Sequence, residues 1–188
     1  MFTFVSGTAA ADLTATLAYR HHDQPHELLS APDDLARWAS DAGLVETGLV
    51  PTPADLERAK ELREAIYRLL SIRARGDDRL PRQAVDLVNQ IAASPPLTVS
   101  WQDDKLWRTG NASQLLSSLA RDALHVLETW PSDRIKVCVG DDCSRVFIDI
   151  SRNASRRWCG MRECGDKSKA KAYRARRKMT VRPPTPSP

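Results

Sequence analysis

The sequence predicts an α+β fold that is mostly α, with a helical N-terminal domain carrying a small β-hairpin and a distinct C-terminal module. Three observations support this prediction. Apolar residues recur at helical spacing through most of the first 130 residues. Apolar and polar residues alternate on either side of Asp103 and Asp104, as in a hairpin. All four cysteines lie between residues 138 and 164, which marks the C-terminal module as a unit with its own chemistry.

The N-terminal region contains three local signals. Residues 2–5 form a short apolar stretch, which predicts an edge strand. Residues 9–19 show helical spacing and predict a helix over that range. Ser30 precedes Pro32 by two residues, so we expect Ser30 to cap a helix that ends at Gly43.

The strongest helix signal comes next in the chain. Thr52 stands at the N-cap position, Pro53 at the first helical position, and Gly76 closes the segment, so we predict a helix of about 20 residues. The other predicted elements of this domain are a helix from Pro81 to about Ala93, a β-hairpin over residues 97–107, and a helix over residues 115–127 that ends at Trp130-Pro131.

The net charge of +4 is distributed unevenly along the chain. Residues 131–188 contain 15 Lys and Arg against 6 Asp and Glu, a net charge of +9, whereas residues 1–130 contain 13 against 18, a net charge of −5. A concentrated basic segment favours a polyanionic partner, with nucleic acid first and an acidic membrane surface second. A solvated basic surface helix is the alternative that charge alone leaves open.

The cysteines form two close pairs, each Cys-x4-Cys, with fifteen residues between them. This pattern is typical of a tetrahedral zinc site, because each pair spans two corners and the spacer lets the chain return for the other two. The alternatives are two disulfides, which need an oxidising compartment, and four unrelated cysteines, which would not cluster so closely. We predict that Zn²⁺ is bound by Cys138, Cys143, Cys159 and Cys164.

The residues around the cysteines predict a hairpin knuckle followed by a helix. Residues 135–137 lead into the first pair and residues 145–148 leave it, so the first two ligands are expected at a hairpin tip. The second pair runs into a helix-forming stretch, where backbone amides stabilise thiolates, and Trp158 is expected to cover the site. The module is thus predicted to be a four-cysteine zinc finger. Four thiolates leave no open coordination position, which argues against an enzyme.

The predicted C-terminal helix carries a stripe of positive charge. Lys167, Lys171, Arg174 and Lys178 are spaced by four, three and four residues and therefore share one face. Phosphate contacts from such a stripe give affinity with little sequence information, so double-stranded DNA is the expected partner. The residues predicted to contact DNA are Arg156, Arg157, Lys167, Lys169, Lys171, Arg174, Arg177 and Lys178.

From Cys138 to about Lys178 the chain resembles the CGNR zinc finger. The signature of that finger is a Trp-Cys pair, then Cys-Gly-Asn-Arg, a Lys two residues later and an Arg-rich helix. Asp166 and Lys167 replace the Asn-Arg of the signature; an acidic group opposes phosphate binding, and Lys lacks the bidentate fork of Arg. The matching residues are Trp158-Cys159, Cys164-Gly165, Lys169, Arg174, Arg176 and Arg177.

The upstream stretch FVSGTAAADLTATL resembles the start of the ABATE domain, and SAPDDLARWASDAGLV is also similar. That domain precedes the CGNR finger in a bacterial family described as stress-induced transcription regulators. The resemblance implies a DNA-binding finger and a domain that senses a small ligand. Ala15 stands where the ABATE pattern has Asn, and the matching residues are Gly7, Asp12, Leu13 and Thr16.

A small-molecule effector is expected to bind at Asp12, Thr16 and Arg20, because their spacing of four places them on one face of the predicted helix. The alternative is that Asp12 and Thr16 cap or pack that helix. The cluster of His, Asp and Glu over residues 21–27 lacks regular ligand spacing, so we expect an exposed loop rather than a second metal site.

These observations together predict a DNA-binding transcription regulator. It comprises an ABATE-like domain (residues 1–130), a zinc finger with its basic helix (134–179) and a disordered tail (180–188). A zinc module that binds RNA or another protein is the alternative. The chain start lacks the features of a signal peptide, and no apolar run approaches the roughly 18 residues of a membrane span. We therefore expect a cytoplasmic protein without a membrane partner, and a homodimer is compatible with this organisation.

Overall fold

The computed structural model describes residues 1–46 and 48–180, without the side chains at positions 163, 172, 175 and 177–180. Over the described residues the chain forms an α+β structure that is mostly helical, as predicted. Each strand pair is antiparallel. The elements in chain order are α1 (Ala9–Thr14), β1 (Leu17–Ala18), β2 (His26–Glu27), α2 (Pro32–Asp41), α3 (Pro53–Arg73), α4 (Arg82–Ala92), β3 (Thr98–Gln102), β4 (Lys105–Thr109), α5 (Ala112–Thr129), β5 (Ile135–Val137), β6 (Val146–Ile148), a π-helical turn (Met161–Gly165) and α6 (Asp166–Thr180).

Helix α3 forms the centre of the N-terminal domain. The predicted N-cap is confirmed: the Thr52 hydroxyl accepts a hydrogen bond from the Asp55 amide at 3.2 Å, and the Asp55 carboxylate accepts one from the Thr52 amide at 2.8 Å. Leu62, Ile66 and Leu70 are fully buried at helical spacing. The helix contacts α1, α2, α4 and α5, so it holds the core of the domain together. No helix in the described part of the chain combines the length and apolar character needed to cross a membrane.

The predicted β-hairpin is confirmed as β3 and β4. Its register pairs Gln102 with Lys105, which leaves Asp103 and Asp104 as a two-residue turn. Both turn residues have positive φ angles, +50° and +55°, which a type I′ turn requires and which Asp tolerates better than most residues. Helix α5 follows, capped by the Asn111 side chain.

The first helix is shorter than predicted, because α1 ends at Thr14 instead of residue 19. The hydroxyls of Thr14 and Thr16 each donate a hydrogen bond at 2.7 Å to a backbone carbonyl three residues earlier, and such bonds compete with the helical backbone. Tyr19 then adopts a φ of +56° and turns the chain, so that β1 pairs with β2. The prediction of a helix over residues 9–19 is therefore wrong beyond its first half.

Helix α2 begins one residue later than predicted. Its N-cap is Ala31 instead of Ser30, because Pro32 occupies the first helical position and the residue before a proline favours an extended conformation. The Asp34 carboxylate accepts hydrogen bonds from the amides of Ser30 and Ala31 at 2.8 and 2.9 Å, so it satisfies the helix start that a Ser30 hydroxyl was expected to satisfy.

Residues 2–5 do not form the predicted strand. Their segment lies beside β6 instead, where the Ser6 carbonyl accepts a hydrogen bond from the Ile148 amide at 2.7 Å. Gly7 has a φ of +94°, and a Cβ atom there would lie 3.3 Å from the Cβ of Ile148. Gly7 therefore allows the N-terminal segment to approach β6 closely.

The strand pair β5–β6 joins the C-terminal module to the N-terminal domain. Ile135, Val146 and Ile148 are fully buried and belong to the same core as the helices, against α1 and α3. Phe147 lies on the opposite face of β6 and packs against Cys138 and Cys159. One short strand pair thus has one face in the helical core and the other face against the cysteines.

Candidate metal centre and basic helix

The loop between β5 and β6, residues 138–145, carries the first cysteine pair at a hairpin tip, as predicted; we call it the knuckle loop. The Cys138 amide donates to the Arg145 carbonyl at 2.9 Å, and the Cys143 amide donates to the Gly140 carbonyl at 3.0 Å. A Cβ atom on Gly140 would lie 3.2 Å from the Cys164 sulfur and 3.3 Å from the Cys143 Cβ. A side chain at this position would crowd the sulfurs, so glycine lets the loop fold closely over them.

The second cysteine pair approaches the first from the segment after β6. The Val139 amide donates to the Arg157 carbonyl at 3.1 Å, and the Cys159 amide lies 3.4 Å from the Cys138 sulfur. Gly160 is extended, and the π-helical turn that follows contains Cys164 and continues directly into α6. The helical segment thus begins five residues before Asp166, and Cys164 lies in its first turn.

The four sulfur atoms have the spacing of a tetrahedral metal site. Cys143 Sγ lies 3.8 Å from Cys159 Sγ, Cys159 Sγ lies 3.7 Å from Cys164 Sγ, and all four sulfurs lie within 4.8 Å of one another. Zinc–sulfur bonds of about 2.3 Å place the corners of a regular tetrahedron about 3.8 Å apart. A disulfide would need a sulfur–sulfur distance of about 2.05 Å. The geometry matches four zinc ligands, and all four cysteines are free thiols rather than disulfide partners.

Ionisation of all four thiols together depends on a cation at this site. Hydrogen bonds from the Cys143 and Cys159 thiols lower the pKa of Cys138 to about 2. Burial and the charge of neighbouring sulfurs raise the pKa of Cys164 to about 12, and the hydrogen bond to Cys138 raises the pKa of Cys143. Four thiolates in so small a volume require a divalent cation, and binding of that cation releases protons.

A buried carboxylate that the sequence analysis missed supports the finger. Asp149 is fully buried, and its carboxylate accepts hydrogen bonds from Lys136 Nζ at 2.8 Å, from the Ser151 amide at 2.9 Å and from the Arg156 amide at 2.8 Å. Burial alone raises the pKa of Asp149, but these hydrogen bonds outweigh burial and hold the pKa below its ordinary value. The ionised Asp149 therefore ties β5 to the segment that leads to Cys159.

The two arginines before Cys159 and the tryptophan that follows them occupy different environments. The Arg156 guanidinium donates to the Cys159 carbonyl at 2.6 Å and lies 4.8 Å from the centre of the Phe147 ring, so it supports the finger from inside. Arg157 is exposed and lies 5.5 Å from the ring centre of Trp158. Trp158 is half-buried against the cysteines, as predicted. The DNA contacts of both arginines stay predictions.

Helix α6 exposes its basic residues to solvent. Lys171 forms an ion pair with Asp141 in the knuckle loop, and this hydrogen bond raises the pKa of Lys171, which keeps the ammonium charged. Helical spacing places Lys169 and Arg176 on the face opposite Lys171 and Arg174. The exposed cations of the described part of α6 are Lys167, Lys169, Lys171, Arg174 and Arg176. The side chains of the predicted contacts Arg177 and Lys178 lie outside the described residues. The predicted tail (180–188) also lies outside them, except for residue 180, the last residue of α6.

The three residues predicted to bind an effector do not share a helical face, because α1 ends before two of them. Asp12 is buried, and its carboxylate accepts hydrogen bonds from the amides of Val5 and Ser6 at 3.1 and 3.0 Å. Burial raises the pKa of Asp12 in spite of these bonds. Asp12 therefore holds the N-terminal segment against α1, which is the packing role considered as the alternative.

The side chains of Thr16 and Arg20 belong to an ion-pair network around α3. Arg63 is 3% exposed and donates to both carboxylate oxygens of Glu27, at 2.7 and 2.8 Å, and to Thr16 Oγ1 at 3.2 Å. Arg20 forms an ion pair with Glu64. The side chains of Thr16 and Arg20 thus have different partners from that of Asp12, and ligand contacts by these residues stay predictions. Glu27 lies in β2, and the four cysteines are the only cluster of potential metal ligands among the residues that the structure describes.

Comparison with known families identifies both parts of the chain. Residues 7–130 match the ABATE family model, described as "Putative stress-induced transcription regulator". The chain belongs to the ABATE family. Residues 134–177, after the ABATE match, agree with the model of the CGNR zinc finger. A comparison with curated proteins gave no match. Together with the four-sulfur cluster, the CGNR match shows that the finger of this ABATE protein binds zinc, and neither family is described as an enzyme.

Proposed function

We propose that this ABATE protein binds double-stranded DNA through α6 and so regulates transcription. The observation that carries the proposal is the composition and exposure of that helix. Residues 166–180 contain seven Lys and Arg against one Asp, a net charge of +6. Every side chain described in α6 is exposed except the half-buried Ser168. A helix without an apolar face gains little from packing, and like charges on it repel, so a polyanionic partner would stabilise it.

The dimensions of α6 suit a DNA groove. The predicted stripe from Lys167 to Lys178 covers eleven residue steps, or about 16 Å at the helical rise. The major groove of B-DNA is about 12 Å wide and admits an α-helix. Small residues such as the exposed Ala170 keep the helix narrow. The zinc site would fix the start of α6 to the β5–β6 pair and thereby orient the stripe relative to the ABATE domain.

The cellular setting proposed for this function is the cytoplasm. A reducing compartment keeps cysteines available as thiolate ligands, which a zinc finger requires. The ABATE description as a transcription regulator supports the same proposal. A homodimer would bring two basic helices to one duplex and increase the number of phosphate contacts.

A second candidate function rests on one aromatic side chain. Tyr173 in α6 is 55% exposed among basic residues. Aromatic rings beside cations can stack on unpaired bases, which is how many proteins hold single-stranded RNA. The module would then bind RNA instead of duplex DNA.

Fluorescence anisotropy of the full zinc-loaded chain decides between these functions. The probes are a labelled mixed-sequence 20-base-pair DNA duplex and a single-stranded RNA of the same length and sequence. We expect duplex binding with a Kd of about 10⁻⁵ M or lower near physiological salt, and weaker RNA binding. Treatment with a zinc chelator should remove duplex binding. RNA affinity higher than duplex affinity would favour the second candidate, and no binding of either probe at low salt would refute both.

A further inference from the structure

A cleft of about 350 Å³ lies between the ABATE domain and the zinc finger. One wall comes from Ala15 and the segment over residues 17–19, which belong to the ABATE domain. The opposite wall comes from the knuckle loop and from the face of α6 that carries the first three residues of the stripe. The volume lies at the lower end of the range for small-molecule sites, about 300 to 1,000 Å³.

The two walls are joined by hydrogen bonds at the edge of the cleft. The Arg20 amide donates to the Ser144 hydroxyl at 3.3 Å, and His21 Nε2 lies 3.1 Å from the Asp141 carbonyl oxygen. These contacts connect the segment after β1 to the knuckle loop. The cleft is therefore preformed, and a ligand there would contact both domains at once.

The cleft contains charges of both signs, because four thiolates around one Zn²⁺ carry a net charge of −2 and two of them, Cys143 and Cys164, line it. Lys167, Lys171 and Arg174 line it, together with Asp141 and Asp142. Lys171 forms an ion pair with Asp141, and Asp142 Oδ1 lies 3.4 Å from His22 Nε2. Among the residues that the structure describes, Lys167 and Arg174 have no acidic partner. Two cations are thus available to an anionic group that enters the cleft.

The ABATE wall is largely apolar, because Ala15, Leu17 and Ala18 line it, and Val139 adds an apolar side chain from the knuckle loop. A bare inorganic ion would leave this surface in contact with water. A molecule with one charged end and a compact apolar body would cover it and place the charge beside Lys167 and Arg174.

We propose that the cleft binds a small organic anion, a carboxylate or phosphate ester with a compact apolar body, and that its binding weakens DNA binding. The second half of this proposal rests on the proposed DNA-binding function. A ligand in the cleft occupies cations of the stripe that would otherwise contact phosphates, so the two anions compete for Lys167 and Arg174. The linkage is reciprocal, and DNA should weaken ligand binding by the same factor. Asp12, Thr16 and Arg20 are a poorer effector site, because their side chains are engaged in internal hydrogen bonds.

Isothermal titration calorimetry of the full zinc-loaded chain tests anion binding in the cleft without DNA. The probes are benzoate and phenyl phosphate, with benzamide as the neutral control of benzoate. We expect at least one anion to bind about tenfold or more tightly than benzamide, the gain expected from a charge-assisted hydrogen bond. Higher affinity for benzoate identifies a carboxylate ligand, and higher affinity for phenyl phosphate identifies a phosphate ester.

Two variants locate the binding. Ala18→Leu fills the ABATE wall and should lower anion affinity about tenfold or more, while Ala54→Leu on the exposed start of α3 should leave it unchanged. Arg174→Gln changes an exposed residue, keeps the fold and should also weaken the anion. Equal binding of anions and benzamide would overturn the proposal, as would full anion affinity in both Ala18→Leu and Arg174→Gln.

Anisotropy with the DNA duplex then tests the coupling. A saturating concentration of the bound anion should lower duplex affinity about 5- to 150-fold in the wild type, and Ala18→Leu should bind duplex normally without this response. Unchanged duplex affinity in the presence of the bound anion would overturn the coupling. If the wild type binds no duplex at all, the proposed DNA-binding function fails, while the titration still decides whether the cleft binds anions.

Discussion

The two faces of α6 provide a matched test of how the protein contacts DNA. The double variant Lys171→Ala/Arg174→Ala removes one Lys and one Arg from the stripe. The control Lys169→Ala/Arg176→Ala removes one Lys and one Arg from the opposite face, so both variants have the same net charge. Since all four residues are exposed, neither variant should lose buried packing. Any difference in DNA affinity therefore reports the face of the helix and not its total charge.

The expected magnitude follows from the number of phosphates neutralised. Four stripe cations with one phosphate each, plus the exposed Arg157, give a slope of log K against log salt of about −4.5. Removing two of the five phosphate contacts should reduce the slope by about 1.8 units, to about −2.7. The control variant should keep the slope of the wild type.

Anisotropy titrations of the 20-base-pair duplex between 50 and 300 mM salt measure these slopes. Zinc content and melting temperature are measured on each variant, because a loss of zinc would change binding indirectly. Equal slopes for the stripe variant and the wild type would refute the stripe as the DNA surface. A reduced slope for the control alone would place DNA on the opposite face of α6.

Three further predictions concern the metal site and its support. Cys159→Ser should lower zinc from one ion per chain to a substoichiometric amount in elemental analysis, whereas two disulfides and little zinc in the wild type would contradict thiolate ligation. Gly140→Ala should weaken zinc about tenfold or more in competition with a chelator, while Gly165→Ala should not, since the nearest atom there is the mobile end of Met161. Asp149→Asn should lower the free energy of unfolding by about 3 kcal/mol in zinc-saturated urea titrations, with the exposed Asp133→Asn as control. Because the pKa of Asp149 is depressed in the folded protein, its contribution is complete above the ordinary pKa of about 4 and is lost only as the pH falls below it. The difference between wild type and Asp149→Asn should therefore stay constant from pH 5 to pH 8, and a difference that fades within that window would contradict the ion-pair assignment.

The sequence predicted the elements whose signals are local. The cap at Thr52 and the turn at Asp103-Asp104 depend on residues within a few positions of one another, and the cysteines form two close pairs at a typical spacing, so one sequence is enough to recognise all three. The end of α1 depends on Thr14 hydrogen bonding and on a turn that pairs β1 with β2, which helical periodicity does not report.

The role of Asp149 in supporting the metal site was also missed, because it depends on contacts between residues that are distant in the sequence. Asp149 receives its hydrogen bonds from residues up to thirteen positions away, and no spacing rule connects them. A single acidic residue directly after the apolar strand Val146–Ile148 was the available signal. Likewise, the cleft beside α6 is formed by segments at least 120 residues apart, so its residues could not be grouped from sequence alone.

The strand pair β5–β6 makes the finger depend on the ABATE domain, so the finger is not an independent module. A fragment that begins at residue 134 would expose Ile135, Val146 and Ile148 to water, because α1 and α3 cover these side chains in the full chain. Such a fragment could still bind zinc at its tip, yet its base would expose an apolar face that favours aggregation. Fusing the finger to another protein would therefore require polar residues on that face, or a partner surface similar to the one that α1 and α3 provide. In this molecule the ABATE domain and the base of the finger share one hydrophobic core, so a change in the packing of one alters the other.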